Sequence, residues 1–151
     1  MGQGKEAAER LKQQAEDQQQ QQAASLKRGI MTQQNSEAHW DALVAALQRE
    51  VAEFVESFPQ AKTQNLRADL LNSNNLTIST QVQPILKIEV LRNYRQPGVQ
   101  AEITRQVGWD HKQGHTPNFD FAPDGFSDGR SVISPEQLAG KFFEYIPEFF
   151  A

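Results

Sequence analysis

The segment "NSEAHWDALVAALQREVAEFVESFP", residues 35–59, constrains the fold more than any other part of the chain. Trp40, Leu43, Val44, Leu47, Val51, Phe54, Val55 and Phe58 fall at i, i+3, i+4, i+7, i+11, i+14, i+15 and i+18. That spacing is the 3.6-residue period of an amphipathic helix. Asn35 or Ser36 suits the N-cap, Glu37 and Asp41 sit near the positive end of the helix dipole, and Pro59 ends the run because the residue before a proline is pushed out of the α region. Arg49, Glu50, Glu53 and Glu56 mark the solvated face. A helix with so broad an apolar stripe must be buried against something.

From residue 66 the period changes to two, the period of a strand. In "NLRADLL", Leu66, Ala68 and Leu70 share a face, although Leu66 and Leu70 also fit a short helix. "NSNN" at 72–75 reads as a turn, and Leu76, Ile78, Thr80 and Val82 then alternate with polar residues. After Pro84, Leu86, Ile88 and Val90 alternate with Lys87 and Glu89; "NYRQPG" turns the chain; Val99, Ala101, Ile103, Val107 and Trp109 alternate again, with Arg105 interrupting the apolar side. One apolar and one polar face per run is the signature of an antiparallel sheet covered on one side. Phe119 and Phe121 precede turns at Pro123-Asp124-Gly125 and Ser127-Asp128-Gly129. "SPEQLAGKFFEYIPEFFA" opens a helix with a capping box, Ser134 at the N-cap, Pro135 at N1 and Gln137 at N3, and Pro147 is expected to kink or end it. The expected fold is α+β: a two-layer sandwich in which an antiparallel meander of four to five strands is covered on one face by a helix over about 36–58 and a C-terminal helix over about 135–146.

That fold accounts for residues 35–151 as a single domain. Residues 1–34 differ in kind. They contain "EDQQQQQAASLKR", and they hold most of the apolar deficit behind an overall hydrophobic content of 38%. Ala, Glu, Gln, Lys and Arg favour a helix, but the stripe Ala8, Leu11, Ala15 is broken at Gln18 and Gln22, so a polar helical extension is expected, with Gly29 as its C-cap.

The charge balance narrows the partners. The first 34 residues carry five basic against four acidic side chains, which leaves −5 on the remainder of a chain whose net charge is −4. An acidic domain without a basic run disfavours nucleic acid. No apolar run approaches the roughly 18 residues of a membrane span. The absence of cysteine excludes thiolate chemistry and Cys-based zinc sites. No apolar signal-peptide stretch is visible in "MGQGKEAAERLKQQ", so a cytoplasmic location is expected.

Chemistry-bearing candidates are few. His111 and His115 would face one way on a helix and share a zinc ion, with Asp110 or Asp120 as third ligand. Gly108, Gly114 and Pro117 bracket them, however, and a loop spanning Asp110 to Thr116 is the stronger expectation. Asp120, Asp124 and Asp128 are spaced by four, unlike an EF-hand, and read as turn residues. His39 reads as a boundary histidine. Lys87, Arg92, Arg95 and Arg105 with Tyr94 read as a solvated edge. No nucleophile elbow or phosphate-binding glycine loop is present. In "KFFEYIPEFFA", Phe143, Tyr145 and Phe150 stand beside Phe142, Ile146 and Phe149, more aromatic surface than one helix face buries. The expectation is a non-enzymatic interaction or accessory module without a cofactor, meeting a protein partner or itself through Leu11, Phe143, Tyr145 and Phe150. A metal-dependent hydrolase or metal-binding protein at His111 and His115 is one alternative, and a carrier of a small apolar ligand in a cleft between helix and sheet is another.

Overall fold

A computed structural model describes residues 2–151, and the side chains of all of these except 28, 29 and 31–34. Helix α1 spans Gly2–Ser57. The chain divides into two compact units between Gln34 and Asn35. In the first unit the described side chains are exposed, including Leu11 at 66%, Leu26 at 68% and Ile30 at 46%. Gly29 does not end a first helix, contrary to the expectation above. A single glycine costs a helix interior only about 1 kcal/mol relative to alanine, too little to break a run of good helix formers.

The second unit is α+β, with helices packed on an antiparallel sheet. Residues 35–57 of α1 are followed by α2 (Pro59–Thr63), after which the sheet begins. Its strands are β1 (Arg67–Asn72), β2 (Asn75–Ser79), β3 (Ile85–Asn93), β4 (Gly98–Val107), β5 (Asp110–His115), β6 (Phe119–Ala122), β7 (Gly125–Ser127) and β8 (Val132–Ile133). The described residues thus form eight strands, ordered β1-β2-β3-β4-β6-β7-β8, with β5 also on β4. The expected count of four to five is too low for a physical reason. Strand β5 is exposed along its whole length, so it has no apolar period to read, and β7 and β8 are three and two residues long, too short to display one.

The expected loop from Asp110 to Thr116 is corrected in the same way. Val107 pairs with Asp110, so the turn is only Gly108-Trp109. Gly108 has φ 60°, the glycine-first pattern of a tight two-residue hairpin. Residues 67–72 resolve as strand, with Leu66 just before it: Ala68 pairs with Ile78 and Leu70 with Leu76, which sets the predicted face of Ala68 and Leu70 toward the core side.

Helices and sheet share one core. Trp40, Leu43, Leu47 and Val51 of α1 cluster with Leu76, Ile78, Leu86, Ile88, Val90, Val99, Ala101 and Ile103 of the sheet, and with Leu138, Phe142 and Ile146 from the C-terminus. Phe126 and Phe142 are fully buried, and Phe142 meets Phe119 edge-on at 5.7 Å. Arg92 stands on the apolar face of β3 yet is well accommodated. Its side chain is only 8% exposed, its guanidinium donates to Glu37 at 2.8 Å and to Ser36 at 3.3 Å, and it lies over the rings of Tyr94 and Phe121.

At the C-terminus the capping box forms as read: Gln137 N donates to Ser134 Oγ at 3.1 Å, and Ser134 N donates to the Gln137 side chain at 2.9 Å. The expected single helix over about 135–146 is instead α3 (Pro135–Phe143) and α4 (Tyr145–Phe150), separated at Glu144. Pro147 has no N–H for the carbonyl of Phe143 and its ring crowds that carbonyl, so the break falls upstream of the proline, not at it.

Strand β4 gives one edge to two strands in succession. Glu102–Val107 pair with β5, and Gly98 and Val99 pair with β6. Buried Thr116 manages the handover: its N–H donates to Ala101 O at 2.9 Å, and its hydroxyl accepts from Ala101 N at 2.9 Å. At Gly98 a Cβ would collide with the Phe119 carbonyl and the Asn118 amide. Gly98→Ala is therefore expected to destabilise the domain by about 1–3 kcal/mol, the usual range for overpacking, read as a lower urea midpoint at unchanged slope.

The turn after β7 gives a second expectation. Asp128 Oδ1 accepts from the backbone N–H groups of Ser131 at 2.7 Å and Arg130 at 2.8 Å, and these bonds hold its exposed carboxyl below the ordinary aspartate range. Because the folded-state value is the lower one, the turn's contribution is present above the unfolded aspartate value and is lost as pH falls through the depressed one. An NMR titration of the Asp128 carboxyl carbon should give a midpoint lower in the folded protein than in the urea-unfolded chain.

Candidate interaction surface

The proposed metal ligands are dispersed. His111 and His115 lie on β5, where residues four apart do share a face, but along a strand they stand about 13 Å from each other. His111 is opposite Gln106 and His115 opposite Glu102. Asp110 begins the strand opposite Val107. Asp120 is in β6, where its carboxylate accepts from the side-chain amides of Asn118 at 2.7 Å and Gln96 at 3.2 Å. Among the described residues no group of three or more His, Asp or Glu side chains is placed to hold a metal ion. His39, read as a boundary histidine, is partly buried, and its Nε2–H donates to Pro123 O at 3.0 Å.

The aromatic C-terminus is largely engaged within the domain. Phe143 meets Phe54 edge-on at 5.7 Å, and Phe150 contacts both Phe54 and Phe58 at 5.7 Å. Phe143, Tyr145 and Phe150 are half-buried. The surface that α3 and α4 cannot bury alone is covered by the last turn of α1 and by Phe58. Leu11, in the first unit, is 66% exposed.

The basic residues do not form a strip. Lys87 pairs with Glu89 at 2.6 Å on the polar face, Arg105 lies 3.6 Å from Glu148, and Arg92 is the buried cation described above.

The most exposed large side chain among those described is Trp109, which is fully solvent-exposed. It occupies the tip of the β4–β5 hairpin, next to Val107 at 58% exposure. With Gln83, Pro84, Gln106 and Gly108 these two residues line a shallow, mainly apolar depression. The alternation in β4 assigns Trp109 to the buried face. The turn overrides it, because β4 runs beyond the core after Ile103 and the chain reverses at Gly108. The available signal was Gly108-Trp109 itself, since Gly-X is a two-residue hairpin pair.

An open groove of about 540 Å³ flanks α1 and β1; Val51, Ala52, Val55, Leu66 and Ala68 form the apolar half of its lining, and Gln48, Glu56, Lys62, Arg67 and Asp69 the polar half. It is the nearest counterpart to the helix–sheet cleft expected for an apolar ligand.

The two tryptophans provide an internal comparison, because Trp40 is 2% exposed. Trp109→Phe should remove the iodide-quenchable, red-shifted part of the emission and leave a blue-shifted signal that resists quenching. Its effect on stability should stay within about 0.5 kcal/mol, as for a surface substitution.

Comparison with models of protein families, with curated proteins and with solved structures found no match to this chain.

Proposed function

We propose that this chain is a non-enzymatic protein-interaction module whose principal contact is the tip of the β4–β5 hairpin. The observation that carries the reading is Trp109. A fully exposed tryptophan at a two-residue turn gains nothing from the fold that holds it. Tryptophan is among the residues that dominate binding energy when a partner desolvates them. Val107 and Pro84 supply an apolar surround, and β5 beside the tip is polar and exposed along its whole length. Leu11, Leu26 and Ile30 on the first unit are candidate secondary contacts. Phe143, Tyr145 and Phe150 would act mainly by holding α3 and α4 in place.

The test is affinity purification of the full chain from its native cells, in parallel with Trp109→Ala. A protein recovered in near-stoichiometric amount with the wild type should fall at least tenfold with the variant, the order expected for loss of a hot-spot side chain. Equal recovery of every partner by the two proteins, with folding matched by circular dichroism, would exclude the tip as the contact.

A further inference from the structure

Strand β1 is the outermost strand on its side of the sheet. By register Leu70 belongs to the apolar face opposite Leu76, yet Leu76 is fully buried and Leu70 is 47% exposed. Beside it runs the groove lined by Val51, Ala52, Val55, Leu66 and Ala68. An outermost strand of this kind presents unmet backbone donors and acceptors and a vacant apolar flank, the arrangement that accepts an added strand.

The charge pattern of β1 indicates which strand fits. When a strand pairs antiparallel with a copy of itself about a two-fold axis, opposed residues share a face, so the axis must pass through a residue position. An axis at Arg67 opposes two arginines, and an axis at Asp69 opposes two aspartates; like charges directly opposite are destabilising. An axis at Leu70 carries the pairing into the bulge between Leu70 and Asn72. An axis at Ala68 sets Arg67 of each copy against Asp69 of the other on the polar face. On the apolar face it sets Leu66 against Leu70 twice, with Ala68 opposite Ala68. Leu70 of one copy then enters the groove of the other, beside Leu66 and Val51. The regular part of β1 runs from Arg67 to Leu70, so this register uses all of it and adds Leu66 immediately before it.

We propose that β1 pairs with β1 of a second copy of this chain, antiparallel and centred on Ala68, joining two sheets into one. This surface is separate from the Trp109 tip.

The full chain is examined by sedimentation velocity from about 1 to about 300 µM, a range that brackets association through a small interface. The expected result is a concentration-dependent dimer. Arg67→Asp alone and Asp69→Arg alone each leave only like charges opposed across the axis, so each should weaken association at least tenfold. An equimolar mixture of the two variants restores opposite charges at both positions and should recover the dimer. Both side chains are exposed, and circular dichroism checks that the variants fold. A second measurement uses the absence of cysteine. Opposed residues in an antiparallel pair lie about 4.5–5.5 Å apart at Cα, within disulfide range, so Ala68→Cys should oxidise to a covalent dimer while Ser73→Cys, in the turn, should not. Three results overturn the proposal: a monomer throughout the range with no cross-link at position 68, a dimer equally strong in both reversed variants, or a mixture no stronger than either variant alone.

Discussion

The structure depends on how one edge of β4 is shared. A strand that pairs with two successors must release the first before accepting the second, and every backbone group at the joint needs a partner. Thr116 meets that requirement by exchanging bonds with both the N–H and the C=O of Ala101, using its own backbone N–H and its hydroxyl. The asparagine side chains next to it complete the joint: Asn93 donates to Asn118 at 2.9 Å, and Asn118 donates to Asp120. Gly98 lets β6 approach closely enough to pair. Because the handover is secured there, the outer half of β4 is free to carry β5 away from the core, and β6 to β8 lead the chain back to α3.

This division explains what could be read from the sequence. The stripe from Trp40 to Phe58 and the alternation through β2, β3 and the inner half of β4 are legible because each residue there is sorted by burial. Strand β5 carries no such mark. Its partner is a stretch of β4 already past the core, so Asp110 to His115 are all exposed and the composition "DHKQGH" resembles a loop. The alternation misplaces Trp109 for the same reason: it describes a buried strand, and its apolar face continues through Val107 to Trp109 although β4 leaves the core after Ile103. The separation of α3 from α4 was half legible, since Pro147 announces a break while the carbonyl it disturbs, four residues upstream, decides where the break falls.

Arg92 shows how an apparent conflict with the pattern can be part of the packing. An arginine on the apolar face of β3 would be costly if buried alone. Here Glu37 and Ser36 at the start of the second unit's helix receive its donors, and two aromatic rings cover its faces. Asn35 and His39 donate to Pro123 O from neighbouring turns of helix, so the stretch of α1 that enters the second unit is tied to both β3 and the β6–β7 turn by polar contacts. The other end is held by Phe54 and Phe58 against Phe143 and Phe150. The part of α1 in the second unit is thus fixed where it enters by directional bonds and at its close by aromatic packing. The aromatic surplus in the C-terminal sequence finds its use at this second end.

Free edges are where a sheet of this kind is open to association, and the two longer ones are built differently. Strand β5 offers Lys112 and Gly114 and is exposed along its whole length, features that make a poor template for a further strand. Strand β1 offers an apolar flank, a groove and two charges of opposite sign two residues apart. A bulge beyond Leu70 limits how far any pairing can run. A strand protected only by charge would carry one sign, so that every register repels. Opposite signs at Arg67 and Asp69 repel in the registers centred on either residue and attract in the one centred between them. Such a pattern selects a partner and a register instead of merely refusing contact.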